Sequence, residues 1–298
     1  MPIPWKRLIR FIASDGRVLY GEPLLPSPNF DLGQDLGDVK LEAKVIQGQD
    51  IYDTTGATQV TDEVVVVKKI LGPVTSRDVP VPMPQETPRL PMLTVREANR
   101  KPPPFPSMFC KPARSIIGPN ESVIIPKIAQ DSQADYEGEL CVIIGKDTKD
   151  VSEGEALSYV AAYTVGNDIS SRKLQRDPKL AGSVPQWCFS KGFDTFAPLG
   201  PVLVAASEIP DPSSLRLQTR INDELRQDTG IDDLVFDIPR LISYLSTGTT
   251  LEKGSVIMTG TPGGVGAGLD PPQYLQPGTQ MKVFVSEIGT LTNTVEFA

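Results

Sequence analysis

Residues 135–145 read DYEGELCVIIG, an acidic segment that passes directly into a run of five apolar residues and ends at Gly145. An uninterrupted apolar run of this length, followed by a turn residue, predicts a buried strand. Alternate side chains of an extended backbone project to the same side, so Glu137 and Glu139 are predicted to point the same way, roughly 6–7 Å apart. The segment therefore predicts a buried strand with two aligned carboxylates at its start.

The rest of the chain contains more strand patterns than helix patterns. The segment 153–168 begins with helical spacing and passes into a strand, and 237–247 carries its apolar residues on one helix face. Residues 254–262 and 280–297 are β-rich. These patterns predict an α+β fold in which strands dominate.

Three regions of the chain differ in composition. Residues 1–72 contain short β-rich runs separated by Gly and Asp, which predicts a small antiparallel accessory module. Residues 73–106 hold ten of the 29 prolines, and because proline lacks a backbone donor, this region is predicted to be an extended connector rather than a sheet interior. An ordered strap and a disordered linker both fit such a connector. Residues 107–298 form the predicted main domain.

The composition excludes several classes of function. The net charge of −8 argues against a surface for nucleic acid or for an anionic membrane. The chain contains no histidine, which excludes Ser-His-Asp, Cys-His and histidine-ligated zinc mechanisms. A general base must therefore be a carboxylate, a lysine, a tyrosine or an activated water.

The cysteines and the apolar runs bear on location. Cys110, Cys141 and Cys188 are far apart with no CxxC pair, which is typical of proteins from a reducing compartment. No apolar run approaches the roughly 20 residues of a membrane helix, and the first residues lack the apolar segment of a signal peptide. We therefore expect a cytoplasmic protein, with a mitochondrial location as the alternative.

Glu137, Glu139 and Asp168 are candidate metal ligands. Two aligned carboxylates repel each other unless a cation or a shared proton lies between them. Asp168 ends a second apolar run and could supply a third oxygen, which leaves Arg172 to bind an anionic group. Oxygen ligands of this kind favour Mg²⁺, Mn²⁺ or Ca²⁺ over zinc. The alternatives are a solvated strand face for the glutamates and a structural ion pair for Asp168.

Two further features could contribute to a site. Lys191 stands in an apolar stretch that contains Gly and Pro, so its ammonium group either reaches solvent or is a deliberately placed cation. Residues 259–266, TGTPGGVG, offer hydroxyls and backbone amides that could hold a carboxylate or a phosphate. No GK[ST] follows, so this segment is not a P-loop.

Five strings in order, YEGELCVIIGK, YTVGNDISSRKLQ, KGFDTFAPLGPV, TLEKGSVIMTGTPGGVG and GTLTNTV, resemble motifs of the fumarylacetoacetate hydrolase family, specifically its small domain-containing members. The resemblance covers residues 109–295, and the N-terminal strings WKRLIRF and LYGEP are similar to the accessory module of some members. It implies a β-rich α+β core of mixed sheets coiled into a roll over 107–298, assembled as a homodimer.

The resemblance also implies a chemistry. Members hold Mg²⁺, Mn²⁺ or Ca²⁺ with an E-x-E pair and a later Asp, which correspond here to Glu137, Glu139 and Asp168. Their substrates are β-diketo acids, acylpyruvates, oxaloacetate and related 2-keto or enol acids. The positions that contact substrate correspond here to Lys111, Arg172, Gln175, Lys191 and Thr261.

The segment before the FCKP motif departs from the family pattern. Members have a His and a Glu there that together activate the attacking water, and Glu97 corresponds to that glutamate. Thr94 stands in the place of the histidine, and a Thr hydroxyl does not act as a base near neutral pH. The departure weakens the prediction of hydrolysis and leaves Glu97 and Lys191 as the candidate catalytic residues.

Two classes of function remain open. One is a metal-dependent enzyme that acts on a 2-keto or enol acid by C–C hydrolysis, decarboxylation or keto–enol tautomerisation, including a role in secondary metabolism. Acylpyruvates and oxaloacetate are the expected types of substrate. The other is a non-catalytic protein that retains the fold and acts by ligand binding or dimerisation.

Overall fold

The computed structural model of the chain describes residues 3–34, 36–37, 39–79, 83–87 and 104–298, with the backbone alone for 83–87. Most of the regular structure is strand. The strands are β1 (Arg7–Ala13), β2 (Val18–Leu24), β3 (Glu42–Gln47), β4 (Gln59–Leu71), β5 (Met83–Thr87), β6 (Ser107–Lys111), β7 (Ile116–Ile117), β8 (Ser122–Ile125), β9 (Ala134–Asp135), β10 (Gly138–Ile144), β11 (Val160–Asn167), β12 (Ser170–Ser171), β13 (Ala197–Ala205), β14 (Arg216–Ile221), β15 (Glu224–Gly230), β16 (Val256–Met258), β17 (Gln280–Val285) and β18 (Gly289–Phe297).

The helices are short. They are α1 (Glu153–Ala156), α2 (Arg172–Arg176), α3 (Pro178–Ala181), α4 (Trp187–Lys191) and α5 (Ile238–Leu245). The Asp237 side chain caps α5 by accepting a hydrogen bond from the Arg240 amide, and the predicted apolar face of this helix is buried. None of these helices, within the described parts of the chain, is long and apolar enough to cross a membrane.

Strands β10, β11 and β13 form the centre of a large mixed sheet, and every residue in these three strands is buried. The strand order is β2-β3-β4-β1-β13-β11-β10-β16-β5-β6, and β7 pairs with β13 in parallel. The buried strand predicted over this segment is confirmed as β10, and the structure shows that both of its faces are covered.

A second sheet, in the order β15-β14-β17-β18-β8, packs on one face of the large sheet. Leu140 and Val142 of β10 share a hydrophobic cluster with Leu217 and Val283 of the second sheet. The alternate residues of β10, which include Cys141, belong to a different cluster on the opposite face. The predicted β-rich α+β fold is confirmed.

The N-terminal strands close into a small antiparallel ring. β1 pairs with β2 and β4, and β3 pairs with both β2 and β4. β1 also pairs with β13 of the large sheet through Arg7 and Leu8. The proposed division of the chain at residues 72 and 106 stays a prediction.

Part of the proline-rich region lies inside the large sheet, so the prediction of an extended connector rather than a sheet interior is wrong for β5. This strand is antiparallel to β6 and meets β16 at Gln85. An antiparallel pair leaves every second residue out of the ladder hydrogen bonds, so a strand at this end of the sheet can include Pro84. Residues 88–103, which contain Glu97 and Thr94, lie outside the described residues.

Asp31 joins the segment between β2 and β3 to the second sheet. Its carboxylate accepts hydrogen bonds from the Thr290 amide at 2.9 Å, the Thr290 hydroxyl at 2.6 Å and the Gly33 amide at 2.8 Å. A Cβ at Gly33 would lie 1.6 Å from the Thr290 carbonyl oxygen, so a larger residue cannot occupy this position without a shift of the backbone.

Replacing Asp31 with Ala is expected to lower the free energy of unfolding by about 1–3 kcal/mol, because it leaves several donors without their acceptor. Denaturant unfolding measures the change. The control is Asp62→Ala, since Asp62 is exposed and its nearest cation, Lys44, is 3.7 Å away. That variant should stay within about 0.5 kcal/mol of the parent. Equal effects of the two substitutions would contradict the role of Asp31.

Candidate active site

The start of β10 and the end of β11 bring three carboxylates together. The two strands are antiparallel, with Gly138 opposite Asn167, so Glu137 and Asp168 lie at the same end of the pair. The Asp168 amide donates to the Glu137 carbonyl at 2.8 Å, and the Glu137 amide donates to Asn167 Oδ1 at 2.9 Å. Oxygens of Glu137, Glu139 and Asp168 all lie within 4.8 Å of one another.

These carboxylates are buried, with 4% of Glu137 and none of Glu139 or Asp168 exposed. The alternative of a solvated strand face for the two glutamates is therefore wrong. Glu139 lies on the same side of β10 as Cys141, away from the second sheet, and Glu137 is covered by Arg172 and Lys191, which the local sequence could not show.

Two fully buried lysines neutralise part of the negative charge. Lys111 Nζ donates to Asp168 Oδ1 at 2.7 Å and to the Ile169 carbonyl at 3.2 Å. Lys191 Nζ donates to Glu137 Oε2 at 2.7 Å and also to Asp168 Oδ2. Neither lysine reaches solvent, so Lys191 is a placed cation rather than a surface side chain.

Arg172 binds two acids from the start of α2. Its Nε donates to Asp135 Oδ2 at 2.7 Å, and its Nη1 donates to Glu137 Oε1 at 2.5 Å. The Arg172 Nη2 atom and both amide atoms of the fully buried Gln175 have no hydrogen-bond partner in the described part of the chain. Since buried polar groups are rarely left unpaired, these atoms are suited to contact a polar ligand.

The glycine-rich segment holds two of the acids through backbone amides. Gly260 N–H donates to Glu139 Oε2 at 2.7 Å, and Gly266 N–H donates to Asp135 Oδ1 at 2.8 Å. A Cβ at Gly266 would lie 1.9 Å from the Gln273 carbonyl oxygen, which explains why glycine is needed there. Glu139 Oε1 has no hydrogen-bond partner among the described residues.

Gln227, from the second sheet, links the E-x-E segment to the glycine-rich segment. Its Oε1 accepts from the Gly138 amide at 3.1 Å, and its Nε2 donates to Thr261 Oγ1 at 2.8 Å and to the Pro262 carbonyl at 2.9 Å. The Thr261 hydroxyl donates in turn to the Gly138 carbonyl at 2.9 Å. This closed set of bonds fixes the backbone between the two glutamates.

The surrounding charges shift the pKa values of Glu137 and Glu139 in opposite directions. Burial disfavours the charge on Glu137, but Lys191 and Arg172 outweigh it and lower the pKa of Glu137 to about 2. Burial together with the charges of Asp168 and Glu137 raises the pKa of Glu139 well above its usual value. Burial also lowers the pKa of Lys111, although Asp168 opposes this shift.

The cluster has the properties of a divalent metal site. Four acids, Asp135, Glu137, Glu139 and Asp168, face only three cations, Lys111, Arg172 and Lys191. The donor set consists of hard oxygens, and one of them, Glu139 Oε1, is buried without a partner. Such a set fits Mg²⁺, Mn²⁺ or Ca²⁺.

The structure therefore brings six sequence-predicted residues into one cluster of ion pairs and carboxylates: Lys111, Glu137, Glu139, Asp168, Arg172 and Lys191. Gln175 is buried on the same short helix as Arg172, and Thr261 bonds to Gly138. Glu97 lies outside the described residues. Sequence reasoning missed Asp135, although its alternation with Glu137 was a signal, and missed Gln227, for which no local signal exists.

Comparisons with known proteins identify the family of the chain. Residues 89–296 match the family model of the fumarylacetoacetate hydrolase C-terminal domain. The chain is 39% identical to a caffeoylpyruvate hydrolase of Neonothopanus nambi, over 98% of this chain and 93% of that protein. It is 42% identical to an oxaloacetate tautomerase of Bacillus subtilis, over 65% of this chain and 62% of the relative.

A solved structure shows the same fold. The 2-hydroxyhepta-2,4-diene-1,7-dioate isomerase from Mycobacterium marinum matches with a TM-score of 0.72 and 29% identity, over 98% of each chain. The chain therefore belongs to the fumarylacetoacetate hydrolase family. It is an enzyme of that family, as its named relatives are.

In protein kept free of metal by a chelator, Glu139→Gln is expected to raise the free energy of unfolding at neutral pH. The raised pKa of Glu139 means that folding costs roughly 1.4 kcal/mol for each unit by which the folded pKa exceeds the unfolded one. Below its ordinary pKa of 4.5, Glu139 is protonated in both the folded and the unfolded chain and costs no stability. The free energy of unfolding falls as the pH rises from there through the raised pKa of the folded state. The gain from the substitution should therefore increase with pH.

The matched control is Glu137→Gln, which removes the partner of Lys191 and Arg172. It is expected to lower the free energy of unfolding by about 3–5 kcal/mol, because it leaves buried cations without their carboxylate. Denaturant unfolding across pH measures both variants. Destabilisation of similar size by the two substitutions would contradict the difference between the two glutamates.

Proposed function

We propose that the chain is a divalent-metal-dependent enzyme that acts on a small 2-keto or enol acid of the acylpyruvate or oxaloacetate type. The observation that carries the proposal is the buried cluster of acids and lysines, bordered by polar atoms that lack partners. A small, polar and anionic ligand matches the unpaired Arg172 Nη2 and Gln175 amide. A 2-keto acid has such a carboxylate and an adjacent oxo group.

Glu137, Glu139 and Asp168 are the proposed ligands of Mg²⁺, with Mn²⁺ and Ca²⁺ as alternatives. Bound there, the cation would supply positive charge that polarises the 2-oxo group and favours its enol form. Because Lys191 donates to both Glu137 and Asp168, it competes with a cation for the same oxygens. Occupation of those oxygens would make the Lys191 ammonium group available to the substrate.

The remaining residues have proposed roles that follow from their positions. Lys111 and Arg172 would attract the substrate carboxylate, and Arg172 also orients Glu137. Gln175 would pair with a substrate oxygen through its free amide. Thr261 would keep the glycine-rich segment in place beside the substrate, because its hydroxyl donates to the Gly138 carbonyl.

Keto–enol tautomerisation is the reaction that these residues support best. The reaction needs a proton to leave one atom and return to another, and Lys191 is a buried group that can carry it. It needs no attacking water, and it needs no histidine to activate one; this chain contains no histidine. Decarboxylation of oxaloacetate would draw on the same stabilised enol.

C–C hydrolysis of an acylpyruvate is the second candidate. It is favoured by the similarity to the caffeoylpyruvate hydrolase, which extends over 98% of this chain and therefore includes the N-terminal strands. Glu97 would have to activate the attacking water without a histidine partner.

In the presence of Mg²⁺, the purified chain is expected to accelerate enol–keto exchange of oxaloacetate above the rate with Mg²⁺ alone. Lys191→Arg keeps the positive charge but replaces the ammonium with a guanidinium that stays protonated, so kcat should fall by about 10²–10⁴-fold. Enol absorbance measures the rate, and Lys149→Met, at an exposed position, is the control. Unchanged kcat in Lys191→Arg would contradict proton transfer by Lys191.

Hydrolysis of acetylpyruvate distinguishes the two candidate reactions. Without the histidine, the parent chain is expected to hydrolyse this substrate about 10²–10⁴-fold more slowly than an enzyme that has both the histidine and the glutamate. Rapid hydrolysis that Glu97→Ala abolishes would favour the second candidate instead. Absence of turnover on both substrates, with Mg²⁺ bound, would contradict both candidate reactions.

A homodimer and a cytoplasmic location stay predictions. Both are proposed here on the resemblance and on the composition of the chain.

A further inference from the structure

Two of the three cysteines meet beside the active site. Cys110 lies in β6 and Cys188 in α4, and the Cys110 amide donates to Cys188 Sγ at 3.4 Å. Because an N–Cα bond is about 1.46 Å long, the Cys110 Cα lies within about 4.9 Å of that sulfur. With its Cα this close to the partner sulfur, the Cys110 side chain can bring its own sulfur against Cys188 Sγ by rotation.

The elements that carry the two thiols are held side by side. The rings of Phe109 and Trp187, one residue before each cysteine, stack with centroids 6.1 Å apart. Beyond the cysteines, a Cβ at Gly192 would lie 3.0 Å from Pro112 Cδ, so the backbone approaches Pro112 closely there too. The contacts on both sides of the cysteines keep the thiols adjacent.

The two thiols differ in access. Cys188 is exposed and Cys110 is half-buried, whereas Cys141 is fully buried in β10. Burial, with the nearby Cys188, raises the pKa of the Cys110 thiol. Cys188 is therefore the thiol that a small oxidant in solution reaches first, and Cys110 is the one placed to react second.

We propose that Cys110 and Cys188 are a redox modification site that closes to a reversible disulfide by exchange with a small-molecule disulfide. The Cys188 thiolate attacks one sulfur of that disulfide, forms a mixed disulfide and releases one small thiol. The Cys110 thiolate then attacks Cys188 Sγ and releases the second small thiol. The protein loses two electrons and two protons, and the small disulfide gains them.

The bond would connect the two elements that carry the active-site lysines. β6 ends at Lys111 and α4 ends at Lys191, and both lysines donate to Asp168. A covalent link between these elements restricts their relative movement. In a reducing compartment the two cysteines stay as free thiols, and the disulfide forms only under oxidation. Intracellular disulfides are usually transient in this way.

Treatment of the full chain with oxidised glutathione, followed by alkylation and non-reducing peptide mapping, tests the proposal. The expected product is a peptide pair joined at Cys110 and Cys188 that dithiothreitol separates, with Cys141 alkylated only after unfolding. In Cys110→Ser the mixed disulfide should persist on Cys188, and in Cys188→Ser no cross-link should form. A persistent mixed disulfide in the parent chain, a link to Cys141, or no reaction would each overturn the proposal.

Hydrogen exchange of the parent chain, before and after oxidation, tests the structural consequence. Amides of residues 107–111 and 187–191 are expected to exchange more slowly after oxidation, and the difference should disappear after reduction. Cys188→Ser, treated in the same way, is the control and should show no change. Equal exchange in oxidised and reduced parent chain would show that the bond does not restrain β6 and α4, and would overturn that part of the proposal.

Discussion

The structure depends on the confinement of carboxylates in a space that excludes water. Glu137, Glu139 and Asp168 lie within 4.8 Å of one another, and none is appreciably exposed. Such a cluster is unstable unless cations compensate it, because desolvation and mutual repulsion both disfavour the charged forms. Lys111, Lys191 and Arg172 supply most of the compensation. The negative charge that these cations do not compensate lies on Glu139. This excess of negative charge is the physical basis of the proposed affinity for a divalent cation.

The fold maintains this strained arrangement through contacts far from the ion pairs. The central strands of the large sheet are buried on both faces, so their ends cannot move away to separate the acids. Gln227 reaches from the second sheet to the backbone between the two glutamates, and the Gly138 position has no room for a side chain, since a Cβ would lie 2.1 Å from Thr219 Oγ1. Stability of the two packed sheets therefore offsets the cost of a charged interior, as is common at functional sites.

Local sequence patterns predicted the parts of the molecule that depend on near neighbours. The apolar run after Glu139 forms the buried strand β10, and the one-sided apolar spacing of residues 237–247 forms the helix α5, both as predicted. The pattern could not determine whether Glu137 and Glu139 face solvent, because the groups that contact them come from distant parts of the chain. Lys191 lies 54 residues from Glu137, and Gly260 lies 121 residues from Glu139. The same limit hid Gln227. The connector was misjudged at β5, where pairing with β6 and β16 overrode the preference of a proline-rich segment.

A crystal structure of the parent chain grown with Mn²⁺, with anomalous diffraction collected at the manganese edge, tests the central claim most directly. The account predicts an anomalous peak bounded by oxygens of Glu137, Glu139 and Asp168, with the Lys191 ammonium group moved away from at least one of its two carboxylates. It would be contradicted by crystals without a peak at these residues in which Lys191 still joins Glu137 to Asp168. The cluster would then be a structural network of ion pairs, and the metal-dependent chemistry would have to be abandoned.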